Sequence, residues 1–456
     1  MTTRAIERYG RHGVPLLLLT ALLLWAGPAT ADTLEVPSQY ATIQEAIDAA
    51  SDGDLVRVAA GTFTEQLLIE KQITIRGVDR ENTIVYAPAS LDVAFQIGGD
   101  DYRPLVCARN TDGVAIEALT IDGGAQGLGN EQFVGLAFYE AGGSVSDAGI
   151  RSFHEEPFSE AASGIGLLAY VASGTARTVD VTSTIIKDYQ FAGAVLRGAD
   201  LTARIESSWI YGPGEESGLV PPTGIRVADG AVASLIDNDI NQNFSSGADC
   251  GPDPRTQFQG AAIRLENADA ATQIHDNLIT ENDVAIWAAG GSQIDENFLY
   301  DNRYAGVVLR GGGHDVGGTN FQGFHEVGIW VLAESASDTI ELHDLCLNGP
   351  GGDPADDGIV GIWAYSDGIP LDVWAHNCTI SQWSVGARAE GAVTTLSLNE
   401  SSINSNWIAG YDNSLCGAPQ DAEHNWWGAA DGPAPAGSGE VILGAAVDWE
   451  PRLIEE

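Results

Sequence analysis

The sequence predicts an all-β chain wound as one parallel β-helix solenoid of about twelve coils, opened by a capping helix. A repeated phrase and its polar position carry that prediction. Ile274-His-Asp-Asn277-Leu-Ile279-Thr-Glu-Asn282 returns as Ile294-Asp-Glu-Asn297-Phe-Leu299-Tyr-Asp-Asn302, 20 residues on. The sixth position of the phrase is apolar at Ile121, Ile150, Ile186, Ile210, Ile240, Ile279, Leu299, Phe321, Leu347, Ile380 and Ile403. The first position, five residues earlier, is apolar from Ile116 to Leu398. Short β-biased runs at a period of roughly 20 residues suit a solenoid in which each turn buries its apolar side against the next. The fourth position is Asn238, Asn277 or Asn297, elsewhere Thr184, Ser208, Thr319, Cys378 or Ser401, with Leu or Ala in the remaining copies. One polar group facing the core is costly, but identical groups stacked along an axis can bond to one another. The ninth position (Asn243, Asn282, Asn302, Asn406) is placed at the bend between strands, where Asn tolerates the left-handed conformation. A leucine-rich repeat would need a Leu lattice and a helical period, and neither is present.

In chain order, Arg4, Arg8 and Arg11 precede an apolar run from Val14 to Trp25 that ends in Ala29-Thr30-Ala31. This reads as a secretory signal peptide over residues 1–31, too short to span a membrane stably. The remaining 32–456 reads as one β-helix domain, with caps at 32–54 and 420–456. In the first cap, Ile43, Ala46, Ile47 and Ala50 share a helical face, Thr42 and Glu45 form a capping box, and Gly53 follows the end. The segments from Asp54 and from Gln66 read as opening strands. The longest inserts are Asn243 to Gly260 and Asn348 to Gly358, and such loops are where function concentrates.

Sixty-four acidic against 21 basic residues give a net charge of −43. That argues against nucleic acid and anionic membranes, and no later stretch is apolar enough to cross a bilayer. The mature chain is therefore expected to be secreted, periplasmic or at the cell surface, and monomeric. The acidity suits solubility; a sharper reading is Ca²⁺ at loop carboxylates Asp353, Asp356 and Asp357, without EF-hand spacing. Five cysteines are too few for a disulfide framework. Cys346 and Cys378 should face opposite ways, whereas Cys250 and Cys416, in loop-like sequence, are open to pairing.

The opening stretch TIQEAIDAASDGDLVRVAAGTFTEQLLIEKQITIRG resembles the start of the pectin-lyase-like right-handed β-helix superfamily. Asn425-Trp426-Trp427-Gly428, Gly432-Pro433 and Val447-Asp-Trp449-Glu-Pro451-Arg-Leu453 are similar to the closing motif of bacterial and archaeal surface β-helix proteins. The resemblance implies a right-handed winding and leaves the activity open, since that superfamily hosts many chemistries. Its enzymatic blocks are not matched. Asn110-Thr-Asp-Gly113 equals a polygalacturonase tetrapeptide, but its companion motifs are lacking, and Asn-x-x-Gly is ordinary turn sequence.

After most copies of the phrase a Gly or Ala leads into a strand, as in Gly224-Ile-Arg-Val, Gly260-Ala-Ala-Ile-Arg and Gly328-Ile-Trp-Val. Residues two and four past that position should face outward. They include Arg226, Arg264, Trp287, Arg310, Trp330, Trp363, Tyr365 and Arg388, expected as one stripe along the axis. Indole faces stack on sugar rings and guanidinium groups meet hydroxyls or carboxylates. The stripe thus predicts polysaccharide binding. The alternatives are a lyase or hydrolase of the same superfamily, or a structural or adhesive surface protein. An insert folded over the tryptophans, with each arginine paired to a carboxylate, would make the stripe satellite core instead.

Overall fold

In the computed structural model the chain is described at residues 31–159, 163–214, 221–246, 249–257, 259–323, 326–335, 338–351 and 359–454. Asp32–Glu456 forms one compact unit. Its strands build three long sheets of 14, 13 and 15 strands, and a 2-stranded sheet near the end. Within each long sheet almost every neighbour is the equivalent strand of the next turn, paired in parallel. The fold is a parallel β-helix.

The repeated phrase marks its core. The eleven sixth-position residues pair one to the next without a break from Ile121 to Ile403, up the second sheet. The first-position residues do the same from Ile116 to Leu398, up the first sheet. Both columns are buried. Strands Gly61–Thr64 and Thr83–Tyr86 extend the second sheet ahead of the first copy of the phrase.

Between the two columns lies the polar ladder. Asn238 Nδ2 donates to Asn277 Oδ1 at 3.0 Å, and Asn277 Nδ2 to Asn297 Oδ1 at 2.9 Å. The same oxygens accept the backbone N–H of the preceding turn, at 3.1 Å in both cases. Thr184 and Ser208 continue the ladder at one end, the Thr184 N–H donating to Ser208 Oγ and the Ser208 N–H to Asn238 Oδ1. Near the other end, the Ser401 N–H donates to Asn425 Oδ1, so the Asn-Trp-Trp motif prolongs the same device. A second ladder joins Asn243, Asn282 and Asn302.

One expectation is corrected here. The left-handed residues are those just before the asparagines: Gln242 (φ 63°), Glu281 (φ 54°), Asp301 (φ 51°) and Ser405 (φ 60°). The bend is made by a solvent-facing side chain, which frees the asparagine behind it to point inward and bond along the axis. Asp237, Asp276 and Glu296 play the same part before the fourth position.

The helix Ile43–Ala49 buries Ile43, Ala46 and Ile47 in the same apolar cluster as Val56 and Leu67. Thr42 accepts from the Glu45 N–H at 3.1 Å; Glu45 reaches back to the Ala41 N–H at 3.0 Å rather than to that of Thr42. All five cysteines are free. Cys416 ends a strand of the third sheet, Cys346 is exposed and Cys378 is buried. No helix among the described residues is long and apolar enough to cross a membrane.

Candidate functional site

Each strand of the third sheet turns alternate residues outward, and the register stacks them. One outward column runs Arg226, Arg264, Trp287, Val308, Trp330, Trp363, Arg388 and Asp412. Arg310 and Tyr365 stand two residues further along their strands, in a parallel column with Glu266, Leu332 and Glu390. Ala262, not Gly260, occupies the position equivalent to Gly224. The position is held to small residues because a Cβ on Gly224 would come 2.5 Å from the Ala262 carbonyl oxygen.

The stripe is split into two states. Trp330 and Trp363 stack at 4.8 Å with planes 7° apart, and Arg388 lies over Trp363 at 5.1 Å. Arg255, from the insert that follows Asn243, lies 5.6 Å from the Trp330 ring and 4.5 Å from that of Tyr365. Trp330 is left 4% exposed and Arg388 5%. Trp330 forms a satellite core with Val308, Val327 and Leu332, against which Trp363, Tyr365 and, at the edge of the open part, Trp287 pack half-buried. Arg388 pairs with the equally buried Asp412 at 3.2 Å, and Trp363 Nε1 donates to Glu390 at 3.1 Å.

Arg226, Arg264, Trp287 and Arg310 line an open cavity of about 470 Å³ instead. Its remaining walls come from Phe191, Glu266 and loop residues Pro254–Gln257 and Gln259. Arg264 lies over Trp287 at 4.6 Å, with Arg310 at 5.6 Å from the same ring, and Arg226 lies over Phe191 at 5.6 Å. A second cavity of about 290 Å³ shares Phe191, Arg226 and Glu266 and continues to Tyr102 and Arg197. Beyond it, Phe95, Tyr102, Tyr139 and Tyr170 stack in a chain, with ring centroids 4.3–5.8 Å apart. The two cavities make one trough on the third sheet, between the Phe95–Tyr102 hairpin and the loop around Arg255.

Charge in the trough is arranged in pairs. Arg226 Nε donates to Glu266 at 2.9 Å, Arg264 lies 3.9 Å from the same carboxylate, and Arg310 pairs with Glu334 at 2.7 Å. Arg197 pairs with Asp229. Burial pushes the Arg264 guanidinium down to about 10, with Arg226 and Arg310 adding to the effect and Glu266 opposing it; it stays charged at neutral pH. Burial also raises Tyr102, keeping its hydroxyl a donor.

The insert is pinned by a buried carboxylate. Asp283 Oδ2 accepts from the Ser245 and Gly260 N–H groups at 2.8 and 2.9 Å, and its other oxygen pairs with Arg303 at 2.9 Å. Both ends of the loop carrying Arg255 are thereby fixed to one side chain that is itself fully buried.

Phe191, Arg197, Glu266, Tyr170 and Tyr139 were not singled out in the sequence. Tyr139, Tyr170, Arg197 and Glu266 do carry the periodic signal, four residues past Gly135, Gly166, Gly193 and Ala262, which hold the place of Gly224; Phe191, two residues before Gly193, does not. Arg255 and Tyr102 carry no periodic signal. The Ca²⁺ candidates Asp353, Asp356 and Asp357 lie outside the described residues, and among those described no cluster of His, Cys, Asp or Glu is arranged to hold a metal. Asn110 (φ 54°) and Gly113 (φ 69°) flank an ordinary turn between strands.

The chain matches no protein-family model and no curated protein. Among solved structures it is similar to a GH136 lacto-N-biosidase from Eubacterium ramulus, at 10% identity and a TM-score of 0.49 over 72% of this chain. It spans 62% of that enzyme's length. A periplasmic alginate epimerase aligns at 11% identity and a TM-score of 0.49, over 81% of this chain and 82% of the other. A GH87 α-1,3-glucanase from Streptomyces thermodiastaticus aligns at 14% identity and a TM-score of 0.44, over 90% and 66%. The parallel β-helix implied by the opening and closing motifs is the fold this chain has.

Proposed function

We propose that this is an exported protein that binds a polysaccharide along the trough between Tyr102 and Trp287. One observation carries the reading: the open part of the third sheet lines a trough with half-buried aromatic rings and arginines on a chain of net charge −43. Two sheet-borne columns hold these groups at fixed spacing, so a ligand would lose little by ordering them. Sugar rings would stack on Trp287 and Phe191, while Arg226, Arg264 and Arg310 would donate to hydroxyls or carboxylates. The carboxylates lining the trough, Glu266 and Asp229, are each held by an arginine, and the reading is therefore of binding rather than turnover.

The test is titration of the protein with a panel of soluble neutral and uronate-bearing polysaccharides, each also followed for new reducing ends and unsaturated-uronide absorbance. Trp287→Ala and Arg226→Ala should each weaken binding about tenfold or more, and Trp374→Ala, exposed on the first sheet, should leave it unchanged. Absence of binding across the panel, or equal losses in all three variants, would overturn the reading.

A further inference from the structure

The second sheet differs from the other two in what it shows to solvent. On the eight strands from Trp209–Tyr211 to Ser402–Asn404 the middle residue is buried, and the flanking two face outward. Those outward positions are aromatic, amide, hydroxyl or aliphatic, with Cys346 and Asp239 as the exceptions. Asp239 is the only carboxylate among them, and burial pushes it above the usual carboxylate range. The same turns of the first sheet show solvent Arg204, Asp295, Asp315, Glu341 and Asp372. A strip roughly 35 Å long, at ~4.8 Å per strand, has thus been kept almost free of charge.

Its centre is aromatic. Phe298 and Tyr300, on one strand, are 36% and 42% exposed with ring planes 12° apart and centroids 6.4 Å apart. Leu278 and Trp209, both exposed, lie in the same column as Phe298. On the next turns Asn320 and Gln322 follow in register. Left-handed corner residues Asp276, Glu296, Glu281 and Asp301 rim the strip on both sides. An anionic partner would meet those rims, and a folded protein would need a larger apolar centre than these few side chains supply. Exposed, nearly parallel rings set among amides and hydroxyls complement an uncharged surface of hydroxyls and ring C–H groups.

We infer that this strip is a second binding surface, for a neutral, hydroxyl-rich polysaccharide presented as a flat array, independent of the trough. Because no charge pairing is involved, attachment there would persist at high salt.

The experiment is depletion of the full chain from solution by insoluble cellulose, chitin, β-1,3-glucan and mannan, with calcium pectate as the charged comparison, in about 1 M NaCl, which screens the trough's charges. At least one neutral matrix should retain the protein. The Phe298→Ala/Tyr300→Ala pair should lower retention about tenfold or more, as should Gln322→Glu, which adds charge without removing a ring. Trp374→Ala, exposed on the first sheet, should leave retention unchanged, and the second-sheet changes should act equally in a Trp287→Ala background, which separates a failure here from a failure of the trough. Retention by none of the neutral matrices, or retention that survives both second-sheet changes, would overturn the inference. So would a concentration-dependent dimer abolished by the aromatic pair, which would make the strip a self-association face.

Discussion

Arg226 and Arg388 occupy equivalent places on the same column of the same sheet, yet they live in different surroundings. Arg226 shares a half-exposed ion pair with Glu266 at the edge of a cavity, whereas Arg388 and Asp412 are both buried beside Trp363. Between them one insert, held at both ends by Asp283, lays Arg255 across Trp330 and Tyr365. The repeat supplies outward arginines and aromatics all along the axis. A non-repeating loop decides which of them meet solvent and which become packing.

The sharpest way to break that contrast is to release the insert. Asp283→Ala would leave the buried Ser245 and Gly260 N–H groups without their acceptor, part Arg303 from its partner and free both loop ends, at a cost of about 3–5 kcal/mol in denaturant unfolding. Hydrogen exchange across 249–257 should rise with it, while the second sheet stays protected. A slightly smaller loss, about 3 kcal/mol, is expected for Arg388→Ala, which strands Asp412 in the sealed half. By comparison Arg226→Ala should cost about 1 kcal/mol or less, because its pair with Glu266 is a third exposed on both sides. Similar losses for the two arginines would remove the distinction.

A pH prediction concerns the support beneath the open half. His314 is buried against Ser292 Oγ (2.9 Å) and the Arg310 carbonyl (3.2 Å), and burial holds it below its ordinary value despite the opposing pull of Arg310 and Asp338. A histidine lowered on folding contributes stability above its unfolded value of about 6.5, and that contribution is lost as pH falls through the folded value. His314→Gln should therefore flatten part of the decline in melting temperature below about pH 6.5. A variant as steeply pH-dependent as the parent would exclude this role. The smallest effect concerns salt: raising NaCl from about 0.05 to about 0.5 M should weaken trough binding a few-fold, as expected for partly exposed arginines.

Much of the winding was legible because it repeats. Ile279 and Leu299 announce a column that the register confirms pair by pair, and Asn277 and Asn297 announce the ladder beside it. The ladder's corner was misjudged: the left-handed strain falls on Glu281 and Asp301, whose side chains need no partner inside. The outward face was legible in the same way, with Trp330 and Trp363 in adjacent register. What covers that face was not. Arg255 and Tyr102 sit on excursions whose paths are set by single contacts, such as Ser245 with Asp283 and Phe95 with Tyr139, and a pattern search sees only what recurs.

Two alanine variants, compared for both melting temperature and polysaccharide affinity, weigh the whole picture. For Trp287→Ala we expect a melting temperature within a few degrees of the parent and affinity down about tenfold. For Trp330→Ala we expect about 3 kcal/mol or more of lost stability, with undiminished affinity in the protein that remains folded. The opposite pattern, in which Trp330→Ala abolishes binding and Trp287→Ala only destabilises, would contradict the division of this face into an open half and a sealed one.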